Sequence, residues 1–288
     1  MYRRVCLVTG ANRGLGRATA LGLARLGATV VVLGRDADRV ARSSDELRRE
    51  SGNPDVSHVV VDLGSLASVR SAAAEVARRF GAIHVLVNNA GVNLARRVVS
   101  PDGIELTFAV NHVGPFLLTN LLLPLLRAGA PARIVTVTSW FERFGRIDLG
   151  DVRAGTRQRY DALAAYYRSK LANVLFTYEL AARLAGTGVT ANCVDPGLVA
   201  TDLLRDRAWW RPRWIQAVWR NLLRTPERGA RAAIYAASAP EIAGVTGRCF
   251  GVDGRAKRTS RRSYDVRLRE RLWRASEELV GLPEGQSG

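Results

Sequence analysis

Short, near-continuous apolar runs alternate with amphipathic stretches along most of this chain, and that alternation is what most limits the folds open to it. The run at 5–10 (VCLVTG) reads as a strand buried on both faces, and 14–27 (GLGRATALGLARLG) as a helix stopped by glycine. A strand follows at 28–34, a helix at 36–52, a strand at 58–63, a helix at 65–81, and a strand and turn at 83–91. A helical region covers 101–128, a strand 133–139, a helix about 159–185 and a strand 188–197. Strands that are apolar on both faces, separated by helix-length segments, predict an α/β chain: a doubly wound parallel sheet with helices on both sides. With no repeat or composition break, residues 1–283 are expected to form one domain and 284–288 a loose tail.

The stretch TGANRGLG (9–16) follows the first strand and opens the first helix. Gly10 allows a tight turn, Gly14 a close approach of phosphate to backbone, and Gly16 close helix packing. The helix N-terminus adds N–H groups and partial positive charge. In a strand–loop–helix context this predicts a Rossmann-type dinucleotide site. At the end of the second strand an acidic residue would take the adenosine ribose hydroxyls, but the sequence there is Gly34–Arg35. Arg35, and Arg13 in the glycine loop, are placed to pair with a 2′-phosphate, whereas Asp36 reads as a helix cap. The expected cofactor is therefore NADP(H).

Lysine is nearly absent: Lys170 and Lys257 are the only two among 43 basic residues. Lys170 lies four residues after Tyr166, on the same helix face. A Tyr hydroxyl titrates near pH ~10, and a neighbouring cation favours the phenolate. A compact ammonium can serve that role and reach ribose hydroxyls where a planar guanidinium is bulkier. Tyr167 is a second tyrosine, but only Tyr166 has the four-residue spacing.

TGANRGLG, NNAG (88–91), Ser139 at a strand end, YYRSK (166–170) and DPG (195–197), in this order, resemble the short-chain dehydrogenase/reductase family. FAVNHVGPFLLT (108–119), TGRCF (246–250) and LWRASEELVGL (272–282) are similar to its retinol-dehydrogenase-like branch. The resemblance implies a tetrad. Tyr166 would be the acid/base, Ser139 would hold the substrate oxygen, Lys170 would lower the Tyr pKa and bind ribose, and Asn111 would hold a water. It further implies cofactor contacts from Asn12, Leu15, Asp62, Leu63, Asn89, Ala90, Gly91, Pro196, Val199 and Thr201. The activity implied is reduction of a ketone or aldehyde, or oxidation of the alcohol, on a lipophilic or aromatic substrate. An NAD-dependent alcohol dehydrogenase and a non-catalytic nucleotide sensor on the same fold are the rivals; a sensor has no need of the Tyr166–Lys170 pair.

A substrate lid is expected at about 198–225. It contains RDRAWWRPRWIQAVWR (205–220), whose Trp209, Trp210 and Trp214, with Trp140 beside Ser139, are candidate substrate contacts. Such a segment can pack on the domain, enclose an apolar substrate, or face a membrane, an acidic carrier protein or nucleic acid. The net charge of +17 is spread evenly, which favours an Arg-rich composition over a nucleic-acid surface. No nucleic-acid partner and no metal site are expected. The 116–126 run (FLLTNLLLPLL), broken by Asn120 and Pro124, is too short for a membrane span, and the N-terminus runs straight into a strand without a signal-peptide pattern. Cys6, Cys193 and Cys249 read as reduced, buried thiols, so a cytoplasmic protein is expected. His58 and His84 are placed at strand starts and His112 inside a helix, none of them catalytic. A homo-oligomer pairing through 101–128 and 159–185 is the default implied by the family.

Overall fold

In the computed structural model, residues 1–148, 160–199 and 224–283 are described. Among the described residues, eight strands form one sheet: β1 (Val5–Thr9), β2 (Thr29–Gly34), β3 (Val56–Val60), β4 (Val85–Asn88), β5 (Ala132–Val137), β6 (Val189–Val194), β7 (Cys249–Phe250) and β8 (Ala256–Lys257). Their spatial order is β3-β2-β1-β4-β5-β6-β7-β8, parallel throughout except for the antiparallel β7–β8 pair. The helices are α1 (Gly14–Arg25), α2 (Ala37–Ser51), α3 (Leu66–Arg79), α4 (Leu106–Ala128), α5 (Ala162–Arg183), α6 (Pro226–Ser238) and α7 (Val266–Val280).

The two-residue period of the strands divides their side chains between two cores. Leu7, Val31, Leu33, Leu86 and Ile134 join one apolar cluster with α3, α4, α5 and α7. Their neighbours Cys6, Val8, Val30, Val32, Val85, Val87 and Val135 join the other, with α1, α2 and α6. Both faces are covered, which is why the strands read as unbroken apolar runs. Chain order reverses at the β1–β4 boundary. The strand ends there are left uncovered, and the crevice outside them is where this topology binds ligands.

Helix starts follow side-chain chemistry. Asp36, Ser65, Asp161, Thr225 and Asp265 cap α2, α3, α5, α6 and α7 by accepting backbone N–H bonds. The expected cap role of Asp36 is thus realised at 3.0 Å from the Arg39 amide.

Several boundaries differ from expectation. The strand expected at 58–63 occupies Val56–Val60, so His58 lies mid-strand, within 3.2 Å of Ser44 Oγ. His84 precedes β4, and its Nδ1 accepts the Val5 amide. The helical region begins at Leu106 rather than 101 and runs through Asn120 and Pro124 without breaking. Asn120 donates to the Phe116 carbonyl, and tertiary packing outweighs the amide that Pro124 lacks. At 23 residues α4 is long and apolar enough to cross a membrane by length and composition, but most of it is buried in the core. Its first turns widen into a π-helical stretch over Ala109–Val113, which carries Asn111 and His112. The short strands β7 and β8 and the helices α6 and α7 are absent from the pattern of alternation. They complete the sheet edge and close the two faces.

All three cysteines are buried and unpaired. Trp273 of α7 packs against Phe116 and Phe176, fixing this last helix on α4 and α5.

Candidate active site

The loop after β1 is braced by β4. Thr9 Oγ1 accepts the amides of Asn89 (2.9 Å) and Ala90 (3.0 Å), and Asn89 Nδ2 donates to the Thr9 carbonyl at 2.8 Å. Gly10 has φ +65°, and a side chain there would strike Ala90 Cα at 2.9 Å. One at Gly16 would strike the Gly10 carbonyl oxygen at 2.4 Å. Gly14, also at positive φ, faces nothing within 4 Å. The N-terminus of α1 has no side-chain cap and no acid in its first turn. Two glycines thus close the turn, and the third leaves an open, amide-rich cradle of the kind a diphosphate fills.

The cradle opens into a cleft of about 520 Å³ along the strand ends. Its lining includes Asn12, Arg13, Leu15, Arg35, Asp62, Leu63, Asn89, Ala90, Gly91, Pro196 and Val199, all expected cofactor contacts. At one end stand Arg13, Arg35 and a third arginine, Arg39, which the sequence reading passed over although it lies one turn into α2. The acid at this end, Asp36, is engaged twice, as the α2 cap and in a 3.2 Å ion pair with Arg39. Asp62 Oδ1 accepts the Gly64 amide, shaping the turn after β3.

At the other end Ser139, Tyr166 and Lys170 come together. Ser139 ends the extended chain after β5, and its hydroxyl faces the Tyr166 phenol and favours the phenolate. Lys170 Nζ lies 5.4 Å from the Tyr166 ring centre and donates to the Val137 carbonyl at 3.3 Å. A side chain on Gly91 would stand 3.5 Å from both Lys170 Nζ and Asn111 Oδ1, so Gly91 keeps the space between them open. Burial pulls the Lys170 ammonium down to about 8. Tyr166 opens on the cleft, yet protein packs densely around it, and burial pushes its phenol well above the ordinary range. The Ser139 hydroxyl acts the other way, while the negative charge of Asp195 adds to the rise. A Tyr pKa lowered by Lys170 is therefore not what the folded chain shows. Desolvation prevails, and the ammonium faces the ring at a distance.

The Asn111 side chain makes three hydrogen bonds. Its Oδ1 accepts the Val92 amide at 2.7 Å, and its Nδ2 donates to the Val92 carbonyl and to Ser169 Oγ, both at 2.9 Å. It ties the turn after β4 to α5.

On the substrate side an aromatic ladder starts at Tyr166. Tyr167 lies 6.4 Å from it, Phe141 stacks on Tyr167 at 5.4 Å, Phe144 packs at 5.6 Å, and Trp140 caps Phe141 and Phe144. Phe141 lines the cleft, whereas Trp140 and Phe144 are 53% and 54% exposed. The expectation that Trp140 faces the pocket is corrected. The short 3₁₀ turn Trp140–Phe144 after Ser139 rotates the next residue inward and Trp140 out. Thr201, Trp209, Trp210 and Trp214 lie outside the described residues, as does most of the expected lid. His112 is buried, its Nε2 2.9 Å from Ser276 Oγ, and takes no part in the cleft.

The family model described as short chain dehydrogenase matches residues 4–211. Retinol dehydrogenase 14 of Homo sapiens is 43% identical over 298 residues, covering 98% of this chain and 88% of that protein. A solved gluconate 5-dehydrogenase from Burkholderia cenocepacia, in complex with NADP and tartrate, is similar with a TM-score of 0.70 at 28% identity, over 88% of this chain and 95% of that one. A 3-ketoacyl-(acyl-carrier-protein) reductase from Brucella melitensis, complexed with NADH, gives a TM-score of 0.68 at 26% identity, over 87% and 97%. Sequence identity sustained along nearly the whole length, on the same fold, settles what the cleft geometry indicates: this chain is an oxidoreductase of the short-chain dehydrogenase/reductase family, in its retinol-dehydrogenase-like branch.

Proposed function

We propose that the protein is an NADP(H)-dependent oxidoreductase that reduces a ketone or aldehyde on a lipophilic or aromatic substrate, or oxidises the corresponding alcohol. The observation that carries this reading is the polarity of the cleft. Arg13 and Arg35 line it in the segments after β1 and β2, with Arg39 in the first turn of α2, while Ser139 lines it after β5 and Tyr166 and Lys170 from α5. The three guanidiniums suit a 2′-phosphate, and of the two acids lining the cleft Asp36 is held by Arg39 and the α2 amide and Asp62 accepts the Gly64 amide. The bound dinucleotide supplies or accepts the hydride. Ser139 fixes the substrate oxygen, and Tyr166 gives it a proton. Burial keeps that phenol protonated at neutral pH, which suits reduction. Lys170 places a cation beside the ring and within reach of Gly91, where a ribose would lie. The aromatic ladder from Tyr166 outward supports an apolar substrate, as does the name of the human relative, a retinol dehydrogenase.

The test is turnover of a bulky aryl ketone with NADPH and with NADH, for the wild type and Tyr166→Phe. The reading expects faster reduction with NADPH and a fall of ~10²–10⁴-fold in the variant, with dinucleotide affinity unchanged. Near-normal turnover by Tyr166→Phe would sink the role given to Tyr166. Equal affinity for both dinucleotides would favour the NAD-dependent alternative.

A further inference from the structure

The second lysine, Lys257, pairs with a carboxylate at the end of β6, next to the cleft-lining segment 196–199. Lys257, on the edge strand β8, reaches back across β7, and its Nζ lies 3.3 Å from Asp195 Oδ2. Its stem crosses Gly251, where a side chain would strike Lys257 Cε at 2.4 Å. The glycine thus leaves the groove through which the ammonium enters. Asp195 directly follows β6 and is only 6% exposed. Its other oxygen, Oδ1, accepts the Gly197 amide at 3.0 Å, and its own amide donates to the Phe250 carbonyl at 2.9 Å. Gly197 turns the chain at φ +73°, and residues 196–199 then line the cleft. One carboxylate therefore connects the edge strand to the loop beside the reacting end.

The loop held by this carboxylate lines the same cleft as Tyr166, and the carboxylate's negative charge disfavours the Tyr166 phenolate. A nearly buried Asp with no cation beside it would exert that effect in full. Among the described residues, Lys257 is the cation paired with it. The other charged or titratable groups around Tyr166 have their own positions. Lys170 lies on its helix, and Tyr167 is next to it in the ladder. Glu142, in the turn after Ser139, is held by the Ser260 amide and hydroxyl at 2.7 and 2.6 Å. The Arg224 side chain rests against Gly197, and Arg143 donates to the Arg258 carbonyl.

Resting on the reading of Tyr166 as the acid/base, we propose that Lys257 is a positioning residue of this enzyme, which screens the Asp195 carboxylate from Tyr166 and, through Asp195 and Gly197, seats the cleft-lining segment 196–199. The role suits lysine. A small ammonium fits over Gly251 and meets one carboxylate oxygen, whereas a planar guanidinium needs more room.

The experiment follows kcat for alcohol oxidation against pH at saturating NADP⁺, where activity rises as Tyr166 loses its proton. Wild type, Lys257→Met, Asp195→Asn, the double variant and Tyr166→Phe are compared. Loss of the ammonium leaves Asp195 unscreened, so Lys257→Met should move the rising limb upward by about half a pH unit. Asp195→Asn should move it downward, and adding Lys257→Met to Asp195→Asn should move it little further. Substrate KM should rise in Lys257→Met with the seating of 196–199 disturbed. A Lys257→Met limb at the wild-type pH, with only the melting temperature lowered, overturns the proposal. If Lys257→Met does not fold, the double variant against Asp195→Asn reads the same coupling, and a second large displacement there also overturns it. Activity surviving in Tyr166→Phe would instead mean that the parent reading is wrong. An inactive Tyr166→Phe beside an unmoved Lys257→Met limb discards only the role of Lys257.

Discussion

The ammonium of Lys170 lies 5.4 Å from the centre of the Tyr166 ring, in a slot that admits little water. Burial holds Lys170 down to about 8, against an ordinary value of 10.5. Between those two pH values the unfolded chain binds this proton and the folded chain does not, so Lys170 makes stability rise with pH through that window. Below it, the buried charge is a penalty of at most on the order of 3 kcal/mol. Lys170→Met should therefore melt at a higher temperature than wild type at pH 7, and the gap should close as pH rises from about 8 to 10.5. Turnover should fall sharply in the same variant. Thermal melts across the alkaline range measure the first effect. A gap constant with pH would contradict it.

Arg35, Arg39 and Arg13 define the other end of the cleft. Charge-assisted hydrogen bonds to a phosphate contribute about 1.5–3 kcal/mol each. Arg35→Ala and Arg39→Ala should each weaken NADPH binding roughly 10- to 150-fold and NADH binding much less. Arg39→Ala also releases Asp36, a carboxylate that can then take ribose hydroxyls. Its preference should move further toward NADH than that of Arg35→Ala. Fluorescence titration of both dinucleotides decides this. Equal losses for NADPH and NADH would remove the 2′-phosphate from the assignment.

His112 stands in the π-helical turn of α4 among Phe108, Phe116 and Phe176, with Ser276 at its Nε2. Burial holds it down to about 3, with a weaker opposite pull from Asn173. The unfolded chain takes up this proton below the ordinary value of 6.5, so the stability it contributes is present above 6.5 and lost as pH falls toward 3. His112→Gln should cost roughly 1–3 kcal/mol at pH 7 and flatten the decline between pH 6.5 and 4. Urea midpoints at successive pH values provide the check, and parallel acid profiles in the two proteins would refute it.

How much of this was legible in the sequence depends on distance along the chain. The glycine loop, the Asp36 cap and the Tyr166–Lys170 pair are local patterns, and the folded chain places each as read. Strands β1, β2 and β5 announce themselves because burial on both faces makes them mostly apolar. The two-residue strands β7 and β8 are too short to carry any period. Arg39 was readable from its place one turn into α2, but in an Arg-rich chain one more arginine stands out little. The orientation of Trp140 against Phe141 depends on a 3₁₀ turn, and the Asp195–Lys257 contact spans 62 residues. The net direction of the Tyr166 shift was beyond a one-dimensional reading, since it rests on the protein packed around the ring rather than on the lysine one turn away.

The last prediction separates pocket from surface within the aromatic ladder. Phe141 lines the cleft and stacks on Tyr167 with an interplanar angle of 15°, so it offers a flat apolar wall beside Ser139 and Tyr166. Trp140 is its neighbour in sequence but half exposed, packed edge-on against Phe141 and Phe144. A substrate ring or chain leaving the reacting oxygen would meet Phe141 first. Phe141→Ala should raise KM for a bulky aryl ketone by about tenfold or more, since an aromatic contact contributes about 0.5–1.5 kcal/mol beyond the area it buries. A small ketone should feel the change little, and dinucleotide affinity should stay the same. Trp140→Ala should alter neither KM by more than a factor of about two, because a half-exposed ring at the rim loses little contact with anything in the cleft. Steady-state kinetics on a large and a small ketone, for both variants, reads the difference directly. The reverse pattern, with Trp140→Ala impaired on the bulky substrate and Phe141→Ala intact, would put the substrate on the outer face of the ladder.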